Sequence, residues 1–283
     1  MPTRQLFIID PQNDFCDLPE DLWPFGADGA RLLPALPVTG AHADMQRLAA
    51  MIDACGAAFD GITLTLDSHQ HIDIGHPTFW RLGDGGAVAP FTQVSAADVR
   101  AGRIVPRLPD AQARVVDYLD TLEAAGRYTH MVWPVHCEIG TWGNAIHPAV
   151  LAACNRWEER ALLNVNKVIK GTHPWTEHYS AIMAEVPARD DASTGRNDAL
   201  IAHLDAADEI YVAGEAASHC VKATVEHLAA SLGPRVRKLV LIEDCMSPVT
   251  GFEAQAGAFL AALRDAGART LTAAQVTAHL TAA

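Results

Sequence analysis

Short apolar runs alternate with segments of helical period along most of the chain, and this order constrains the fold more than any other feature. The runs are Gln5–Ile9, Gly61–Leu66, Thr129–Trp133, Asn166–Ile169, Glu209–Ala213 and Lys238–Ile242. Most are rich in Val, Ile or Leu without a polar face, as strands covered on both faces are. Helical patterns fall at about Ala41–Ala57, Ala111–Ala125, Asn197–Ala206, Phe252–Ala266 and Ala273–Ala282. After Cys220, the positions Val221, Val225, Leu228, Ala229 and Leu232 trace one apolar helical stripe. Strand and helix in alternation predict an α/β fold in which the six strands form one sheet, mostly parallel, with crossover helices. Between two strands, Gly83–Arg107 breaks every period with Gly, Pro and isolated polar residues. It reads as an irregular insertion on a single domain spanning 1–283.

Composition narrows the partners. At 283 residues, 49 % hydrophobic and 19 % charged, the chain has the makeup of a globular protein with a sizeable core. A formal charge of −13 repels phosphate polyanions, which argues against nucleic acid. No apolar stretch nears the roughly 20 residues of a bilayer span. Asp10 follows directly on Leu6-Phe7-Ile8-Ile9, so the first residues lack a signal peptide's apolar length, and the expected location is the cytoplasm. Six cysteines without a CxxC pair are expected as free thiols there.

In open α/β sheets ligands bind beyond the carboxyl ends of the strands, and the polar outliers of this sequence collect at those ends. Asp10 ends the first run, Asp67 and His69 end the second, His136 follows Trp133-Pro134-Val135, Lys170 closes Val168-Ile169, and His219-Cys220 follow Ile210–Gly214. Two cysteines adjoin a histidine. Cys220 stands between a strand and an amphipathic helix, where a helix N-terminus is expected to lower its pKa, whereas Cys137 reads as a buried structural thiol. Asp67-x-His69 with a remote His136 gives one carboxylate and two imidazoles, a donor set for a divalent ion. His71 and His76 are nearby alternatives or additions, and Phe15 and Trp133 are candidate apolar walls.

Together these motifs resemble the nicotinamidase and pyrazinamidase branch of the isochorismatase-like cysteine hydrolases. The resemblance rests on Ile9–Cys16, Asp67-Ser68-His69, Trp133–Cys137 with Gly140-Thr141, Ile169-Lys170-Gly171 leading to Tyr179-Ser180, and Gly214–Val221, spread from residue 5 to about residue 250. It implies a three-layer α-β-α fold and a triad of Asp10, Lys170 and Cys220. It also implies a metal held by Asp67, His69 and His136, a cis peptide before Ala216, an oxyanion hole of the Ala216 and Cys220 amides, and a substrate ring flanked by Phe15 and Trp133. Zinc is the first expectation for the metal, and iron or manganese suits the same donors.

The implied reaction is deamidation of nicotinamide, or a close heteroaromatic amide, through a thioester. The alternative is a related cysteine hydrolase acting on another small amide or carbamoyl compound. A homo-oligomer is expected, with a small-molecule amide as the partner and neither nucleic acid nor membrane. Two departures bear on substrate. Glu215 stands where the family usually has an aliphatic residue, and Ala217-Ser218 replace a common Thr-Asp, so the pocket beside the nucleophile is expected to differ. The interval from Asp67 to His136 is also longer than in compact bacterial members.

Overall fold

Alternate residues of each central strand feed two different cores. In the first strand, β1 (Arg4–Ile9), Phe7 and Ile9 enter one apolar cluster while Leu6 and Ile8 enter another, the period of two that a strand covered on both faces requires. The computed structural model describes residues 2–282. After β1 come α1 (Ala41–Cys55), β2 (Gly61–Asp67), β3 (Trp80–Leu82), β4 (Thr92–Val94), α2 (Ala96–Arg100), β5 (Ile104–Pro106), α3 (Gln112–Ala125), β6 (His130–Val132) and α4 (Pro148–Ala161). The second half holds β7 (Asn166–Lys170), α5 (Asp198–Asp205), β8 (Glu209–Gly214), α6 (Cys220–Leu232), β9 (Leu239–Ile242), α7 (Glu253–Asp265), β10 (Arg269–Leu271) and α8 (Ala273–Thr281).

A six-stranded sheet, all parallel, runs in the order β10-β9-β8-β1-β2-β7. Helices α5, α6 and α7 cover one face and α1, α4 and α8 the other, which makes three layers. The chain leaves β1 towards β2 on one side and later returns through β8 and β9 on the other. The strand order therefore reverses beside β1, and a crevice opens there at the carboxyl ends.

Two expectations about the sheet change. Residues His130–Val132 do not join it, because β6 pairs antiparallel with β4 in a separate ribbon. The run is apolar because Val132 packs in a third cluster while Met131 and Trp133 pack against the first. The sixth place belongs to β10, an edge strand whose Arg269 is exposed and whose Thr270 and Leu271 are half-buried, so no apolar run marks it. The segment Gly83–Arg107 is also less irregular than it reads. It carries β4, α2 and β5, elements of three to five residues that are too short to print a period. With α3 and β6 they enclose the third cluster around Trp80, Val99, Val115 and Leu119. No helix among the described residues is long and apolar enough to cross a membrane.

Candidate active site

The carboxyl ends of β1, β2, β7 and β8 bring four groups into contact. Asp10, directly after β1, turns the chain with a left-handed φ of 44°, a conformation that Asp tolerates better than most residues. Its Oδ1 accepts from Thr65 Oγ1 on β2 at 2.5 Å. Lys170, the last residue of β7, lies in register with Asp67, and its long side chain crosses the end of β2 towards β1. The Lys170 ammonium lies 2.9 Å from Asp10 Oδ2 and 2.9 Å from Asp67 Oδ1. It also donates to the His178 carbonyl at 2.9 Å and lies 3.7 Å from Cys220 Sγ. The next residue must be glycine. Gly171 has φ +81°, and a Cβ there would sit 2.7 Å from Asp67 Oδ1.

All four groups are buried, and their mutual fields decide their protonation. Burial opposes the charge on Lys170, but Asp10 and Asp67 outweigh it and hold the ammonium well above the usual lysine range. Burial raises Asp10; Lys170 offsets part of this and Asp67 adds to it, leaving the carboxyl above its ordinary value. Asp67 is the opposite case. Burial pushes it up, yet His69, Lys170 and hydrogen bonds from His136 and His69 bring it well below the carboxylate range.

The sequence expectation of a depressed Cys220 pKa is not met. Burial raises the thiol well above its usual value, Lys170 offsets only part of that, and Asp10 and Asp67 push the same way as burial. Burial, joined by the two nearby carboxyl groups, outweighs Lys170, so the resting thiol is held neutral. Cys137 is fully buried and its thiol is pushed up chiefly by burial, as a packing cysteine's is.

The peptide between Glu215 and Ala216 is cis. Among the described residues, neither the Ala216 nor the Cys220 amide donates a hydrogen bond to the chain. Both belong to the turn that enters α6.

A cluster of imidazoles stands beside Asp67. His69 Nε2 lies 3.0 Å and His136 Nε2 3.6 Å from Asp67 Oδ2. The outer nitrogens have partners of their own, since His69 Nδ1 is 3.2 Å from Asp73 Oδ2 and His136 Nδ1 is 2.8 Å from the Pro134 carbonyl. For His136 that contact is a hydrogen bond, which orients the ring with Nε2 towards Asp67. His76 joins this group, and ligand atoms of His69, His76 and His136 all lie within 4.8 Å of one another. His71 does not; it is exposed and pairs with Glu138 at 2.9 Å.

Phe15 and Trp133 line one narrow cleft with Cys220, Ala216, Asp67 and His136. Three polar lining residues without a role read from the sequence are Glu177, Tyr179 and His219. Tyr179 accepts a hydrogen bond from Trp133 Nε1 at 3.0 Å, and the His219 ring meets Trp133 edge-on at 5.2 Å. Burial lowers His219 to about 4, so its imidazole is neutral. Glu177 and Tyr179 follow Lys170 by less than ten residues in a polar, aromatic stretch that no strand or helix claims, and that was the available signal.

No protein-family model matches this chain, and no curated protein sequence matches it. Solved structures do match over nearly the whole length. A nicotinamidase/pyrazinamidase from Acinetobacter baumannii is 20 % identical, with 97 % of this chain and 98 % of that one covered and a TM-score of 0.59. The yeast nicotinamidase bound to the inhibitor nicotinaldehyde is 19 % identical, with 95 % and 100 % covered and a TM-score of 0.62. A pyrazinamidase of Pyrococcus horikoshii in complex with zinc is 17 % identical, with 96 % and 99 % covered and a TM-score of 0.51. The fold is that of the nicotinamidases. Within this fold, Glu215 does not present its side chain to the cleft as its sequence position suggests. It does not line the cleft; it is fully buried and takes a hydrogen bond from the Ser247 amide, while the next residue, Ala216, lines the cleft in its place.

Proposed function

We propose that this chain is a metal-containing cysteine amidase that hydrolyses nicotinamide, or a close heteroaromatic amide, to the acid and ammonia. The observation that carries this reading is the Lys170 ammonium held between Asp10 and Asp67 and facing Cys220 Sγ at 3.7 Å. The whole chain, 1–283, is read as one domain with Gly83–Arg107 as an elaboration on it.

Asp10 takes the proton of the neutral Cys220 thiol, and Lys170 faces the thiolate charge that results. The sulfur adds to the carboxamide carbon. The negative oxygen that develops meets the two free amides of Ala216 and Cys220, donors already in place before charge appears. As the tetrahedral adduct collapses, the C–N bond breaks and Asp10 returns its proton to nitrogen, which leaves as ammonia. Water then attacks the thioester, with Asp10 again taking a proton, and the acid departs as the Cys220 thiol re-forms. The raised pKa of Asp10 suits both directions of transfer.

The residues present fit a divalent ion. Asp67 offers a buried carboxylate and His69 and His136 turn Nε2 towards it, and His76 stands beside them in the same buried cluster. A metal held there supplies a Lewis-acid position for the lone pair of a ring nitrogen. The zinc complex of the Pyrococcus horikoshii pyrazinamidase, which has this fold, supports zinc as the ion. Phe15 and Trp133 then flank the ring.

Ammonia release from nicotinamide, pyrazinamide, benzamide, aliphatic amides and carbamoyl compounds tests this reading. Benzamide keeps the ring and the amide but lacks the ring nitrogen. It should react far more slowly than nicotinamide, because a site built around one polar contact rejects analogues that leave it unmade. Equal rates for the two, or faster turnover of an aliphatic or carbamoyl substrate, would overturn the heteroaromatic assignment.

A further inference from the structure

The residue that departs from the family pattern sits directly before the amide assigned to the oxyanion hole. The Glu215 amide donates to the Ile9 carbonyl at 2.8 Å, and its side chain is fully buried on the side of the sheet where α1 packs. There Glu215 Oε2 accepts from the Ser247 amide at 3.1 Å. Ser247 also accepts from the Ala217 amide at 2.8 Å through its carbonyl, and its hydroxyl donates to Asp44 Oδ2 at 2.6 Å. Ser247 thus holds the chain on both sides of Ala216. Arg47 donates to the other Asp44 oxygen, which favours a charge on Asp44 over one on Glu215.

Glu215 Oε1 is buried and has no partner among the described residues, and Ser247, bound to Glu215 Oε2 through its amide and to Asp44 Oδ2 through its hydroxyl, brings the two buried carboxyl groups together. Two ionised carboxyl groups cannot share that space. One proton placed between them satisfies both. The other groups facing Glu215 supply no second cation. From α1 come Asp44 and Arg47, from the loop after β1 Cys16 and Asp17, and from the turn after β9 Asp244 and Cys245.

We propose that Glu215 is a positioning residue for the amidase reaction: protonated and donating to Asp44, it fixes with Ser247 the backbone around Ala216, so that the Ala216 and Cys220 amides converge on one point. This rests on the amidase reading above. Burial pushes the Glu215 carboxyl well above its ordinary range, Asp44 adds to that, and the Ser247 amide offsets part of it. At a pH between the ordinary and the raised value, the folded chain keeps a proton that the unfolded chain has released. The stabilisation is therefore complete below the ordinary carboxyl value and is lost as pH rises through the raised one.

Gln mimics the protonated acid and Leu abolishes the hydrogen bonds. The test compares wild type, Glu215→Gln and Glu215→Leu by kcat and KM for nicotinamide across pH, and by amide hydrogen exchange over 214–220. Glu215→Leu should lower kcat about tenfold or more with KM nearly unchanged, and exchange in the turn should quicken. Glu215→Gln should keep neutral-pH kcat and wild-type exchange, and should hold its activity to higher pH than wild type.

Wild-type kcat and exchange in Glu215→Leu, a loss in Glu215→Gln as large as in Glu215→Leu, or identical alkaline limbs for wild type and Glu215→Gln would overturn the proposal. Should the Leu variant fail to fold, the pH profile of Glu215→Gln decides. If wild type releases ammonia from no amide, the amidase reading fails, and hydrogen exchange alone then decides the role of Glu215.

Discussion

Lys170 carries the electrostatics between Asp10 and Asp67, because its buried ammonium lies 2.9 Å from each of the two buried carboxyl groups. Replacing it with Met leaves Asp10 without a counter-charge and Asp67 with only its histidine side. That should cost about 3–5 kcal/mol in urea unfolding as well as turnover. Asp10→Asn should be almost as damaging to turnover as loss of Cys220, since residues that act as a unit have effects that do not add. Cys137→Ala should keep most activity, and a dead Cys137 variant would reverse the choice of nucleophile.

The histidines offer a check that needs no substrate. Metal per chain, measured by elemental analysis, should fall in His69→Ala and His136→Ala and stay level in His71→Ala, whose ring faces solvent and Glu138. A chelator should depress nicotinamide turnover towards the benzamide rate. Asp10, Asp67, Lys170 and Cys220 were legible because each ends or follows an apolar run, where a polar residue stands out. The choice between His71 and His76 was not. Both lie in the loop beyond β2, and only the path of that loop turns one ring inward.

Among the elements, legibility followed length and two-sided burial. Strands β1, β8 and β9 print continuous apolar runs because both faces are covered, and β2 sets buried Thr63 and Thr65 between its apolar residues, whereas β10 has three half-exposed or exposed residues and prints nothing. Helix α4 was missed although its signal was present. Pro148 occupies its first turn, and Val150, Ala153, Cys154 and Trp157 recur at helical spacing. Trp157 is buried in the second core and donates to the Gly56 carbonyl at 3.1 Å, which ties α4 to the end of α1. Trp157→Ala should therefore lower stability by about 3–5 kcal/mol in equilibrium urea unfolding. A loss under 1 kcal/mol would mean that the helix is held elsewhere.

Over the whole molecule, the sheet order explains why residues far apart in sequence meet. Reversal of the strand order beside β1 places the ends of β1 and β8 together, so Asp10 and Cys220 face one crevice while β2 and β7 bring Asp67 and Lys170 to its edge. The meeting of these ends was inferable from the α/β alternation. The third cluster, whose Val132 directly precedes the cleft-lining Trp133, was not, since apart from α3 its elements are too short for periodicity to reveal.

The most direct test is ammonia release from nicotinamide by wild type and by Cys220→Ala, with fold and metal content matched between the two. The thiol mechanism predicts ammonia and nicotinate in equal amounts from wild type and none above background from the variant. Turnover that persists undiminished without the Cys220 sulfur would contradict it.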